Sequence, residues 1–215
     1  MNLELNSISL SFDSKEVIRD LSWTFKEGGF YVIKGPSGCG KSTLLRLLAK
    51  LTEPDSGSVS CSESLEVTKY RRKIHLLTQL PMMFEGTVEE NLLKPFSFGE
   101  YLSEAPEKQE YENLINKLFP EGISLLENGR NLSQGQKQRV ALCRTLLIKP
   151  EILLCDEPAA SLDKESRKIV DQAIGDFFTS GSGKTVIYIS HHDELHSDCE
   201  TQTLEMAEGR LREVM

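Results

Sequence analysis

No run in this chain approaches the ~20 consecutive apolar residues that a bilayer-spanning helix requires, so the chain is not expected to cross a membrane itself. Its start, MNLELNSISL, lacks a basic segment followed by an apolar core, and no secretory signal is expected. A cysteine framework is missing too. The five cysteines, Cys39, Cys61, Cys143, Cys155 and Cys199, are odd in number, scattered and without any CxxC spacing. That usage points to reduced thiols in the cytosol rather than disulfides or a zinc site. Positive charge is in deficit: 25 Lys and Arg against 33 Asp and Glu leave a net charge of −8. General nucleic-acid binding and attachment to a membrane through a polybasic patch both need the opposite balance. Internal repeats and low-complexity tracts are likewise missing. What is present is 215 residues with 39% apolar side chains, enough for one large domain or two small ones around a real core.

The apolar pattern alternates between two periods. LELNSISLSF (3–12) and LSWTF (21–25) alternate as half-exposed strands, Lys26-Glu27-Gly28-Gly29 reads as a turn, and FYVIK (30–34) is a dense β-favouring run. KSTLLRLLAKL (41–51) has helical spacing and is broken by EPDSG (53–57); IHLLT (74–78) is a further strand. Residues 80–131 are less regular, with one helix expected at 110–119 before Pro120. NLSQGQKQRVALCRTLL (131–147) opens on a polar turn and continues as an amphipathic helix with Val140, Leu142, Leu146 and Leu147 on its apolar face. EILLC (151–155) is a strand, 164–178 a helix, TVIYIS (185–190) a strand, and 201–214 a hairpin around Glu208-Gly209. Buried strands feeding helices predict an α/β fold with a mainly parallel sheet, and the antiparallel-looking chain ends predict an accessory β layer.

FYVIK followed by GPSGCGKST fits strand–GxxxxGK[ST]–helix in order and spacing, with Gly35, Gly40, Lys41 and Ser42 at the defining positions. Glycines let the backbone wrap a phosphate closely with its N–H groups, and the helix that follows adds the positive end of its dipole. Lys41 is then placed for the β- and γ-phosphates and the Ser42 hydroxyl for Mg²⁺. SGSGKT (180–185) looks similar but has Phe178 where the first glycine belongs and a strand after it, so it reads as a loop. EILLCDEP ends an apolar strand in Asp156 and Glu157. Beside a P-loop, Asp156 suits the Mg²⁺ shell and Glu157 a general base acting on water. Gln79 and His191 each follow an apolar strand, where ligand-facing side chains gather, and are candidate γ-phosphate sensors.

GPSGCGKST, Gln79, LSQGQ, LLCDEP, SLD (161–163) and ISH (189–191) stand in the order of the ATP-binding-cassette (ABC) ATPases, and the chain resembles that family over essentially its whole length. LSQGQ resembles the family's signature motif. The resemblance implies a P-loop NTPase core with a mainly parallel sheet, an antiparallel β layer and a small helical subdomain. The chain would be one nucleotide-binding domain over 1–215, with 1–79 and 150–215 as core and β layer and 80–149 as helical subdomain. It implies ATP and Mg²⁺ as cofactors, held by Gly35, Pro36, Ser37, Gly38, Cys39, Gly40, Lys41, Ser42 and Thr43. Ser42, Gln79 and Asp156 would serve the metal; Glu157, His191, Lys41 and Gln79 would serve catalysis. Phe12, six residues before Ile18, aligns with the aromatic that stacks on adenine. Ser133, Gln134, Gly135 and Gln136 would close over the γ-phosphate held by Lys41 of a second copy, and Asp163 would contact that copy's P-loop. A head-to-tail homodimer with two composite sites follows.

One residue departs from the family pattern: Gln134 stands where LSGGQ has its first glycine, and an outward-facing side chain there is expected to leave activity intact. The expected role is the ATPase subunit of a membrane transporter, cytoplasmic and held at the inner face of the membrane by a separate membrane-spanning subunit. LPMMFEGTVEENLL after Gln79 resembles the family's docking stretch in export-type members, and the compact length resembles subunits assigned to metal, particularly iron, export. Two other classes stay open: a soluble ABC ATPase serving DNA repair or ribosomes, and a non-hydrolysing regulatory module. His191, His192, Asp193, His196, Asp198 and Cys199 carry metal-ligating groups at close spacing, which a solvated helix surface explains equally well.

Overall fold

A computed structural model describes residues 1–13, 15–190 and 199–214. The strands are β1 (Leu3–Phe12), β2 (Lys15–Phe25), β3 (Phe30–Lys34), β4 (Ser56–Cys61), β5 (Ile74–Leu77), β6 (Ile152–Asp156), β7 (Thr185–Ile189), β8 (Gln202–Ala207) and β9 (Arg210–Glu213). The helices are α1 (Lys41–Leu48), α2 (Val67–Lys73), α3 (Val88–Leu93), α4 (Lys108–Leu118), α5 (Gln134–Leu147) and α6 (Lys164–Thr179).

A six-stranded sheet runs in the order β5-β6-β7-β3-β8-β9, every pair parallel except β8–β9. A second, antiparallel sheet has the order β2-β1-β4. The hairpin expected over 201–214 forms, but it extends the main sheet rather than the accessory layer: β8 pairs in parallel with β3, Ile33 opposite Leu204. Local alternation reveals a hairpin; it cannot reveal which strand receives it. The helix expected at 110–119 runs from Lys108 to Leu118, and β4, α2 and α3 are additions to the pattern read from sequence.

The period-2 pleat of the central strands divides the core in two. Tyr31, Ile33, Ile152, Leu154, Ile187 and Ile189 point to one side, where Leu44, Leu45, Leu47 and Leu48 of α1 pack between the main sheet and the antiparallel sheet. Phe30, Val32, Leu153, Cys155, Val186 and Tyr188 point to the other, against α3, α4, α5 and α6. α1 and α5 therefore sit on opposite faces of one sheet. α5 is not simply amphipathic: Gln138, Arg139 and Thr145 are buried along with Val140, Leu142 and Leu147. Its Arg139 donates to the Leu118 carbonyl at 2.9 Å, pairs with Glu121 at 2.5 Å and lies 4.3 Å over the Phe119 ring, tying α5 to the end of α4. The Tyr188 hydroxyl donates to the Asp171 carboxylate at 2.7 Å, pinning β7 to α6. Burial, first, and the neighbouring carboxylate raise the Tyr188 pKa. Among the described residues no helix is long and apolar enough to cross a membrane.

Candidate functional site

β3 delivers the chain into the loop 35–40, and α1 begins at Lys41. Gly35 has φ +148°, and a Cβ there would stand 2.1 Å from the Met206 carbonyl oxygen of β8. Its glycine is thus demanded by the neighbouring strand as well as by any ligand. Gly40, the residue before α1, has φ +106°, and a Cβ would meet Met206 Cε at 2.9 Å and Val17 Cγ1 at 3.1 Å. No side chain caps α1, so its first N–H groups are left to an outside acceptor. Lys41 is 95% buried in effect, only 5% exposed, and its ammonium donates to the carbonyls of Gly35 at 2.8 Å and Pro36 at 3.0 Å.

Four further residues named from the sequence converge at the carboxyl ends of β5 and β6. The Ser42 hydroxyl donates to Asp156 Oδ1 at 2.8 Å, and Gln79 Nε2 reaches Glu157 Oε2 at 3.4 Å. Burial, first, and the Glu157 charge push the Asp156 pKa up, against the Ser42 hydrogen bond and the charges of Arg46 and Lys41, which pull it down. A buried carboxylate beside a hydroxyl is a set of hard oxygen donors suited to Mg²⁺. Glu157 itself has φ +49°, a left-handed conformation that costs a non-glycine residue on the order of 1 kcal/mol. Strain of that kind at the end of a strand holds a side chain where extended geometry would not.

The 133–136 turn is elsewhere. Ser133 caps α5: its hydroxyl accepts from Gln136 N–H at 3.2 Å, and Gln136 Oε1 accepts from Ser133 N–H at 2.9 Å, a reciprocal capping box. Ser133 and Gln134 are exposed, the latter outward as expected. Gly135 is ordinary helix with no positive φ; a Cβ there would stand 3.2 Å from Leu162 Cδ2. Asp163 caps α6, accepting from Glu165 N–H at 3.0 Å and Ser166 N–H at 2.9 Å, and those backbone bonds hold its carboxyl below the usual range. Phe12 is half exposed at the β1–β2 hairpin, paired with Lys15, close in sequence to the Val17 that faces Gly40. His191, with His192, Asp193, His196 and Asp198, lies outside the described residues. Cys199 is described, its thiol donating to the Gly175 carbonyl at 3.7 Å, and no metal-ligating group of three forms among the described residues. SGSGKT is a loop, with Lys184 spent on the Pro150 carbonyl at 2.5 Å. A cavity of 680 Å³ lies away from these groups, between α2 and residues 104–110; on its rim Arg72 pairs with Glu104, Lys73 with Glu151 at 2.8 Å and Lys149 with Glu110 at 2.7 Å.

The phosphate-loop geometry and the capped 133–136 turn occur together in a chain whose residues 18–160 match the family profile described as ABC transporter. The chain belongs to that family. It is 34% identical over 201 residues to the leptomycin B resistance protein pmd1 of Schizosaccharomyces pombe, covering 88% of this chain and 14% of that protein. It is 37% identical over 185 residues to the ABC multidrug transporter atrD of Emericella nidulans, covering 81% of this chain and 14% of that one. A solved bacterial Atm1-family ABC exporter with ATP bound matches with a TM-score of 0.82 and 26% identity, over 98% of this chain and 38% of that chain. This chain is thus an ABC ATPase domain, spanning 14% of the length of those curated relatives. Sequence reasoning missed Val17, Met206 and Leu162 as neighbours of its key glycines. They carry no motif, and only the fold brings them there.

Proposed function

We propose that this ABC ATPase domain binds and hydrolyses MgATP as a head-to-tail dimer and couples the cycle to transport through a membrane-spanning partner. What supports the reading most is the division of the core: the phosphate loop starts a helix on one face of the sheet and the Ser133 turn starts a helix on the other. Two anion-facing helix starts on opposite faces of one copy are poorly placed to share one phosphate chain, whereas a second copy related by a two-fold axis supplies the missing half to each.

In this reading the Lys41 ammonium exchanges the Gly35 and Pro36 carbonyls for β- and γ-phosphate oxygens, and the free N–H groups of α1 receive the remainder. Phe12 offers its exposed ring to the adenine. Ser42 and Asp156, with Gln79, would hold Mg²⁺, which when bound neutralises charge developing on the β- and γ-phosphates. Glu157 accepts the proton of the water that attacks the γ-phosphorus as the bond to the β-phosphate oxygen breaks; Gln79 holds the Glu157 carboxylate in line. The partner copy's Ser133–Gln136 turn and Asp163 complete the enclosure, and His191 is assigned to the γ-phosphate. The exposed Leu80, Met82 and Phe84 form the docking stretch for the membrane partner. That partner would hold the domain at the cytoplasmic face. The metal or iron cargo expected from the resemblance finds no support in relatives named for leptomycin B resistance and multidrug transport, and export of an organic compound is the better reading.

Glu157→Gln tests the assignment. ATP binding is expected to persist, turnover to fall by about 100-fold or more, and a dimer to accumulate with ATP. An unchanged ATPase rate would show that another group activates the water.

A further inference from the structure

The stretch 78–84 that follows β5 has no ladder or helix of its own. Its backbone groups need partners nonetheless, and two of them come from one helix. Gln138 of α5, only 3% exposed, donates its side-chain amide to the Thr78 carbonyl at 3.3 Å, one residue before Gln79. Arg144 of α5 donates Nη2 to the Met82 carbonyl at 3.1 Å, three residues after Gln79, and its guanidinium lies 5.2 Å from the centre of the Phe84 ring. Phe84 is held from a third side by buried Asn91 of α3, which accepts from its N–H at 2.8 Å and donates to its carbonyl at 3.1 Å. The segment is thus suspended from side chains rather than built into a sheet, and α5 grips it on both sides of Gln79.

α5 is also the helix whose first turn is Ser133–Gln136. We propose that Gln138 and Arg144 act as a two-point clamp, positioning residues through which displacement of α5 at its Ser133 end is imposed on the 78–84 segment. Gln79, beside Glu157, and the exposed Leu80 and Met82 then move as one body with the helix. The rise of an α-helix places Arg144 roughly 16 Å along the axis from Ser133, a rigid lever between the partner copy's nucleotide and the apolar surface. Neither residue touches nucleotide or the reacting atoms. Arg144 is suited to the task because a planar fork fixes direction as well as distance, and its guanidinium is further located by the Phe84 face. This inference rests on the composite dimer proposed above.

Hydrogen exchange measured by region, with and without MgATP, in chains carrying Glu157→Gln tests the clamp and the dimer separately. In that parent, ATP is expected to change exchange in both 133–136 and 78–84. Adding Gln138→Met and Arg144→Met together is expected to leave the ATP response at 133–136 in place while the response at 78–84 falls by about tenfold. A merely structural role would raise exchange at 78–84 equally with and without ATP and leave its response intact, which overturns the proposal. Should the double substitution fail to fold, Arg144→Lys, which keeps the charge and loses the fork, must still weaken the 78–84 response alone; an undiminished response there overturns the clamp. If ATP leaves 133–136 unchanged in the parent, the composite dimer is wrong and the clamp falls with it.

Discussion

Gly135→Ala separates the two reasons a glycine can stand in the turn that opens α5. The residue is helical with no positive φ, so alanine fits the backbone, and in a helix interior alanine is favoured over glycine by about 1 kcal/mol. Only part of that gain applies in a first turn. Against it stands Leu162 Cδ2, 3.2 Å from the added Cβ, the far end of a flexible side chain that has to yield by a few tenths of an ångström. A rotamer adjustment of that size costs about 0.5–1.5 kcal/mol. The two effects nearly cancel, and folding stability is expected to stay within about 1 kcal/mol of the parent, a Tm change of no more than about 4 °C. Activity should respond very differently. If the turn closes on the γ-phosphate of a second copy, a methyl group at Gly135 holds backbone N–H groups away from the oxygens they serve. Loss of one such donor in an enclosed site lowers turnover by about 100- to 1,000-fold. Thermal unfolding and steady-state ATPase on the same preparation decide the matter. Parental ATPase with a parental Tm would remove the turn from the site. A loss of activity matched by a loss of several kcal/mol in stability would reduce Gly135 to a packing residue against Leu162.

Asp156→Asn should leave the nucleotide-free domain as stable or more stable at pH 7 while abolishing the Mg²⁺ dependence of ATP binding, read by calorimetry with and without the metal. Because the folded pKa of Asp156 lies above its ordinary value of 3.8, folding loses stability as pH rises from that value through the raised one. The asparagine variant should lack that loss, and a fall in its neutral-pH stability below the parent would contradict the burial penalty. Glu121→Gln works in the opposite sense. Arg139 lowers the folded pKa of Glu121 from 4.5, so the pair stabilises above that value and the benefit disappears as pH falls through the lower folded one. Parent and variant should differ modestly at neutral pH, since the Glu121 side chain is 49% exposed to water, and converge in acid; parallel pH–stability curves would refute the linkage.

The parts legible in the sequence were those in which chemistry fixes spacing. Gly35, Lys41 and Ser42 stand at the set intervals of a phosphate loop, and Asp156 ends a buried strand within hydrogen-bond reach of the Ser42 hydroxyl. Ser133 announces the start of α5 because an N-cap needs a short side-chain oxygen. Elements held by tertiary contacts left weaker traces. β4, SGSVSC, lies at a sheet edge, is half exposed and consists mainly of serine and glycine, so no apolar alternation marks it. α3 is six residues, too short for a helical period, and is nucleated instead by the Thr87–Glu90 capping box. The crowding that requires Gly35 comes from Met206, brought there only by the β3–β8 pairing. Gln138 and Arg144 belong to no motif; their partners are backbone carbonyls, which carry no sequence signature.

Mixing two inactive variants tests composite assembly most directly. Lys41→Ala removes the phosphate-loop half of a site, and Ser133→Arg obstructs the closing half. Each alone should show background ATPase. In a mixture of equal parts, a mixed pair joins the intact loop of one copy to the intact turn of the other. With random pairing, half the dimers are mixed and half their sites whole, so ATPase should return to about a quarter of the parental rate. A mixture that stays as inactive as its components would mean that each copy builds its site alone.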